Sequence, residues 1–365
     1  MTEIHAVLPG NIDDPATPSG GNRYDRAVCD GLARSRPVHE IAINGSWPRP
    51  AAVGRRALAQ ALGEISDRST VVMDGLVACG LPEVLEPEAA RLRLVVLVHL
   101  PLGDETGLSP AEAAELTALE RRVLHAAAAV VVTSESAARR VIELHALPAD
   151  RVHVAPPGVD PAPRTDAEPG GGRLLCVAAV TPRKGQDLLV EALRSLDDLD
   201  WTCTCVGSVD RGVPDAPDRV RFTGPKTGDA LEAAYAAADL LVLPSRAETY
   251  GMVVTEALAR GIPVLGTRVD GVPEALGTAP DGTRPGALVP PGDATALAEA
   301  LRAWLTDAGL RERWRVAARA RRRALPGWDE TVRRLIEVLD LVTDRTEVLR
   351  GGNAGPGAHA KGGST

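Results

Sequence analysis

The sequence predicts an α/β protein made of two doubly wound, Rossmann-like domains. Three observations lead there. Short runs rich in Val, Leu and Ile alternate with longer Ala/Leu/Arg stretches of helical period, the pattern of βαβ units on a parallel sheet. The chain has 365 residues, and at ~100–200 residues per domain this fits two domains sharing a cleft. Residues 156–172, "PPGVDPAPRTDAEPGGG", carry prolines and glycines without an apolar period and divide the alternation into two sets.

In the first set, strands are predicted at "IHAVLP", "VHEIAI", "TVVM", "LVVLV", "AVVVT" and "RVHVA", with helices between them over, for instance, Asn22–Arg34 and Pro110–His125. The second set reads "RLLCVAAV", "WTCTCVG", "RVRFTG", "DLLVLPS", "IPVLG" and "GALVP". The domains therefore fall at 1–160 and 170–325. A helical segment over 326–345, after Pro326-Gly327-Trp328, is expected to return to the first domain. Residues 351–365, "GGNAGPGAHAKGGST", form a low-complexity tail with nothing to bury, expected to be disordered.

Composition excludes several functions. Aromatic residues make up 2% and the formal charge is −8, which argues against base stacking and against a cationic surface for nucleic acid. The five cysteines contain no C-x-x-C pair and sit mostly in apolar runs, so they read as reduced thiols in a cytoplasmic protein. The first residues, "MTEIHAVLPG", begin acidic where a signal peptide is basic. No apolar stretch approaches the ~20 residues of a membrane span. The basic run Arg311–Leu325 has the composition of a membrane-surface helix; it reads more simply as a solvated face, so membrane association is not predicted.

No G-x-G-x-x-G follows a strand, no P-loop occurs, and no Cys/His cluster has zinc spacing. The pairs Asp13-Asp14 and Asp197-Asp198 are not set in a strand-end D-x-D pattern. Neither a metal nor a resident cofactor is expected.

The informative stretch is "SRAETYGMVVTEALARGIPVLG", Ser245–Gly266. A buried strand ends in a Pro-Ser turn, a loop carries Glu248, and a helix closed by Gly261 carries Glu256. A buried carboxylate needs a partner. Either these two pair with cations or reach solvent, or a hydroxyl-rich ligand satisfies them, a vicinal diol of a ribose being suited to the two oxygens of Glu256. The amides of Thr249, Tyr250 and Gly251, at the start of the helix, are placed for an anion.

In this context the E-x7-E spacing resembles the donor-site signature of retaining glycosyltransferases of the family-four type, which share the two-domain GT-B fold with a central cleft. The resemblance covers most of residues 4–345 and implies a hexosyltransferase-type enzyme. It would move a sugar from a nucleotide-diphosphate donor to an unidentified acceptor, with retention and without a metal. Glu256 would hold the ribose and Glu248 the transferred sugar. Gly20 and Gly21 in "PSGGN" resemble the family's glycine-rich first loop near the donor phosphate. His99, at the end of "VVLVH", stands where similar proteins place a histidine near the reacting sugar. Arg183 and Lys184 in "VAAVTPRKGQD" resemble the basic residues that neutralise the leaving diphosphate. Ala178 and Ala179 depart from the family's Gly-Arg pair there, and Arg183 is expected to replace the missing cation. That departure keeps open a non-catalytic nucleotide-sugar-binding protein, and the fold itself keeps open a nucleotide-sugar epimerase.

Overall fold

The computed structural model describes residues 3–14, 18–165, 168–209 and 212–351. Twelve parallel strands form two six-stranded sheets. The first contains β1 (Ile4–Pro9), β2 (Val38–Ile43), β3 (Thr70–Asp74), β4 (Arg93–Val98), β5 (Ala129–Val132) and β6 (Val152–Val154) in the order β2-β1-β3-β4-β5-β6. The second contains β7 (Arg173–Val177), β8 (Thr202–Val206), β9 (Val220–Phe222), β10 (Leu240–Leu243), β11 (Val264–Thr267) and β12 (Gly286–Val289), in the order β12-β11-β10-β7-β8-β9. Each predicted strand overlaps one of these. The central runs "LVVLV", "AVVV" and "LLVL" are buried on both faces, which is why they read as continuous apolar segments rather than alternating ones.

Strand order reverses between β1 and β3 in the first sheet and between β7 and β10 in the second. Crevices outside the carboxyl ends of strands at such reversals are where doubly wound sheets bind ligands. The predicted site residues lie on the segments leaving β1, β4, β7 and β10.

The last helix, Trp328–Gly351, returns to the first domain. Its Leu335, Val338, Leu339 and Val342 share an apolar cluster with Ile4, Val28, Leu32 and Val95, and Arg34–Asp329 and Arg36–Asp340 ion pairs flank the contact. Residues 352–365 of the predicted tail lie outside the described residues. Among the described residues, no helix is long and apolar enough to cross a membrane.

The chain crosses between the domains twice, and the two crossings touch. Val159 N donates to Pro326 O at 3.1 Å, and a Cβ added to Gly158 would lie 2.3–2.5 Å from backbone atoms of Gly327 and Trp328. Backbone cannot yield as a flexible side chain does. Gly158→Ala is therefore expected to lower unfolding stability by about 1–3 kcal/mol; a denaturant midpoint equal to that of the wild type would show that the crossings separate freely.

The basic segment resolves into internal packing. In the helix Ala308–Arg322, Arg311 donates to the carbonyls of Trp304 and Leu305, and Arg322 to those of Ala259 and Ala162. Arg311 and Arg315 are buried. Much of the positive charge thus closes helix ends and loops inside the molecule, and the solvated-face reading holds only for part of the run.

Candidate active site

The second domain brings two loops together at its strand-order reversal. After β7, Pro182–Lys184 form one 3-10 turn, and Gly185 turns the chain with φ 70° into the helix Gln186–Arg194. A Cβ at Gly185 would meet Pro244 O at 2.2 Å, so glycine is required by the approach of the loop that follows β10. Arg246 fastens the two: its amide donates to Arg183 O at 2.7 Å, and its guanidinium binds Pro182 O and both oxygens of Asp187.

This arrangement sets Lys184 against Glu248 in an ion pair whose side chains are 17% and 10% exposed. Glu248 is further fixed through its backbone, its amide donating to Asp270 at 2.8 Å. Gly251, at φ 87°, starts the helix Met252–Ala259, and Gly261, at φ 74°, follows its end as the sequence predicts. Tyr250 is buried, its hydroxyl pushed up to about 12 by burial; at this position its backbone, not its phenol, is the group available near the helix start.

Glu256 projects from the first turns of that helix. Oε1 accepts from Arg23 Nη1 at 2.5 Å and Oε2 from Tyr235 OH at 2.7 Å. Of the alternatives the sequence left open, both acids pair with cations, Glu248 with Lys184 64 positions away and Glu256 with Arg23 233 positions away, and Glu256 has Tyr235 as a second partner. Each carboxylate oxygen has a second lone pair, so a diol can still be accommodated by number of acceptors. Burial and then the charge of Glu256 raise Tyr235 well above the usual phenol range, so it stays a donor. Arg23 is disfavoured by burial, but Glu256 and then Asp160, 2.8 Å from Nη2, outweigh this and hold it above its ordinary range.

Arg183 is differently placed. Its nearest carboxylate among the described residues is Glu105 of the first domain, at 3.9 Å, and its buried Nε has no hydrogen-bond partner. The backbone where the family's Arg is replaced is closed off, since Gln186 Nε2 donates to Ala178 O and Ala179 O.

In the first domain, Gly20 and Gly21 are not a loop. They open the helix Gly20–Ala33, capped by Ser19, whose hydroxyl accepts from Asn22 N at 3.0 Å. A Cβ on Gly21 would come within 3.1 Å of His99 Cδ2, and one on Gly20 would touch Met252 Sδ at 3.5 Å. The glycines therefore permit close packing against the histidine and the facing domain. The same contact shows that two helix starts, one from each domain, abut across the cleft. Unpaired amides and aligned peptide dipoles give both ends affinity for anions.

His99 lies just past β4, with Nε2 2.7 Å from Asp25 Oδ1 of the first helix. Asp74 ends β3 and accepts from Leu76 N at 2.6 Å. Asp25, Asp74 and His99 offer ligand-type atoms within 4.8 Å of one another. Burial and then the charge of Asp25 push the Asp74 carboxyl up to about 8.

Further bonds close the cleft. Ser134 Oγ donates to Thr249 O at 2.7 Å, and Glu274 accepts from the amides of Glu135 and Ser136 at 2.8 and 2.9 Å. Arg23, Asp25, Asp74, Tyr235, Ser134 and Glu274 were not among the predicted site residues. For Asp74 the signal was present, since it ends a buried strand just as His99 follows one. The others meet the site only through the relative placement of helices and domains.

Residues 171–307 match the family described as glycosyl transferases group 1, and residues 16–163 match glycosyltransferase family 4. The D-inositol 3-phosphate glycosyltransferase of Pseudarthrobacter chlorophenolicus is 33% identical over 251 residues, 62% of this chain and 59% of that protein. The chain thus spans about three fifths of the length of this curated relative. Among solved structures, sucrose-phosphate synthase from Thermosynechococcus elongatus superposes with TM-score 0.71 and 20% identity, covering 96% of this chain and all of that one. HepE of Anabaena in complex with UDP-glucose gives TM-score 0.71 at 18% identity, covering 93% and 100%. Two parallel sheets facing one cleft, with both family matches falling one on each sheet, make the chain a member of the family-four glycosyltransferases with the GT-B fold.

Proposed function

We propose that the protein transfers a hexosyl group from a nucleotide-diphosphate sugar to an acceptor hydroxyl, with retention of configuration and without a metal. The observation that carries this is the pairing of Lys184 with Glu248 at the strand-order reversal of the second domain, beside the abutting starts of the helices Gly20–Ala33 and Met252–Ala259. A dianionic diphosphate matches the amides and the cation, and hydroxyls match the two carboxylates. The curated relative's name as a glycosyltransferase and the UDP-glucose of the Anabaena complex support the same donor class.

In this reading the ribose lies on Glu256 and the transferred sugar on Glu248. Lys184 and Arg183 stabilise charge developing on the departing phosphate, Arg183 standing in for the cation absent at Ala179. The departing oxygen itself receives the acceptor's proton on the face where the acceptor attacks, which dispenses with a dedicated base. The amides of Thr249–Gly251 and the Gly20–Gly21 helix start complete the diphosphate cradle, and His99 faces the sugar or acceptor.

A thermal-shift screen of nucleoside diphosphates and their sugar conjugates tests the reading, since a ligand at 100 times its Kd adds ~2.7 kcal/mol to the native state. A raised melting temperature with at least one nucleotide diphosphate is expected, followed by transfer or slow hydrolysis of its sugar conjugate. Binding without either reaction over a broad donor panel would favour a non-catalytic binding protein; conversion of the donor without acceptor would favour an epimerase. No response to any nucleotide would remove the proposal.

A further inference from the structure

The fully buried Asp25 is used by nothing in the reaction just described. It sits one turn beyond Gly21, and its Oδ1 is 2.7 Å from His99 Nε2. The ring of His99 is held on its other sides as well, edge-on to Tyr24 with centroids 5.1 Å apart and closely against Gly21. Nδ1 has no hydrogen bond among the described residues, and the side chain keeps 19% of its surface exposed. On Asp25 the second oxygen, Oδ2, is buried without a partner of the ordinary donor types, while Asp74 lies within the same three-residue group.

We propose that Asp25 is a positioning residue for the transfer reaction: it grips His99 through Nε2 so that Nδ1–H is left for the guest, while Asp74 places a carboxylic proton on Asp25 Oδ2. The proposal rests on the reading of this cleft as a sugar-transfer site. The role of His99 then depends on a buried carboxylate 74 positions away in the sequence, and the orphaned oxygen gains a donor.

The proton count agrees. Burial lowers the affinity of His99 for its second proton, but the charge of Asp25, its hydrogen bond and then Asp74 outweigh burial and raise the imidazole to about 9. Asp74 is raised to about 8 by burial and next by Asp25. The titratable groups facing the imidazole among the described residues are Asp25 and Tyr24 from the first helix and Asp74 from β3; burial holds the Tyr24 phenol far above its usual range and so neutral. An imidazolium, a carboxylate and a carboxylic acid together carry no net charge, the arrangement a buried group of three tolerates best. Both ring nitrogens of an imidazolium donate, so with Nε2 committed the geometry presents one charged N–H to an incoming oxygen.

The test is a pH titration of the His99 imidazole by nitrogen-detected NMR in the full chain, with His99→Gln identifying the signal. In the wild type the ring is expected to stay protonated past pH 8. In Asp25→Asn the raising charge is gone and burial remains, so the midpoint falls by at least one pH unit, toward or below the unperturbed ~6.5. The alkaline limb of the turnover profile moves down with it. At pH 8 turnover drops about 10–10²-fold, as when a partner orienting an imidazole is removed, with donor KM little changed. An unshifted His99 midpoint in a folded Asp25→Asn protein overturns the proposal.

Should that variant not fold, the wild-type proton spectrum decides: a slowly exchanging Hε2 beside a rapidly exchanging Hδ1 supports the grip, and equal exchange sinks it. A divalent ion, added as zinc or manganese, that abolishes the titration would assign the three side chains to a metal and equally overturn it. Binding of uridine and guanosine diphosphates is measured on the same samples. Its absence removes the sugar-transfer reading and with it the reaction assigned to His99, yet leaves the titration result interpretable.

Discussion

Lys184→Ala is expected to lower turnover by about 10²–10³ at saturating donor, the range observed when one preorganised donor to developing charge is lost. The side chain has two tasks in this structure. It opposes Glu248 in a pair shielded from solvent, and in the proposed reaction it meets the phosphate as the bond to the sugar breaks. Removing it leaves Glu248, held at its amide by Asp270, with a largely buried charge facing the place where more negative charge must develop. Both effects act on the transition state more than on the bound donor, so the loss should fall on kcat. Melting should fall as well, since Glu248 is left largely buried without its cation, so turnover is compared on protein that remains folded. Single-turnover assays with an authentic donor check this; near-normal turnover would exclude Lys184 from the mechanism.

The second large effect is expected at Glu256. Hydrogen bonds to charged groups are each worth about 1.5–3 kcal/mol, so Glu256→Gln should weaken nucleotide binding by roughly 10- to 100-fold per lost charged contact. The amide keeps the shape but has one acceptor oxygen where the carboxylate has two, and it must still answer Arg23 on one side and Tyr235 on the other. Isothermal calorimetry with a nucleoside diphosphate reads the change. Unchanged affinity would contradict the ribose assignment and leave Glu256 as a tie between domains. Arg23→Gln is the companion measurement, since it removes the same tie from the other end without touching the carboxylate.

The central strands were legible because a doubly covered parallel strand is a short, continuous apolar run bounded by turn residues, whereas the partly exposed edge strands β2, β6 and β9 were placed by the strand–helix alternation around them. The positions of Glu248 in a loop and Glu256 in a helix followed from the same punctuation. Gly20 and Gly21 were misread as a loop. Two adjacent glycines resemble a turn, yet Ser19 caps a helix here and the absent Cβ atoms make space for His99 and Met252. The partners of the acids were illegible for another reason. Arg23 reaches Glu256 from the opposite domain, and no local period or spacing encodes how two independently folded sheets face each other. His99 could be placed by strand-end logic, but its contact with Asp25 needed the packing of the first helix over the sheet.

Arg23 has a reach that extends past the cleft. Its two outer nitrogens hold Glu256, on the facing domain, and Asp160, on the first of the two touching crossings. Loss of this one guanidinium would leave both acids without that cation at once, so the contact between the facing domains and the first crossing share a single side chain.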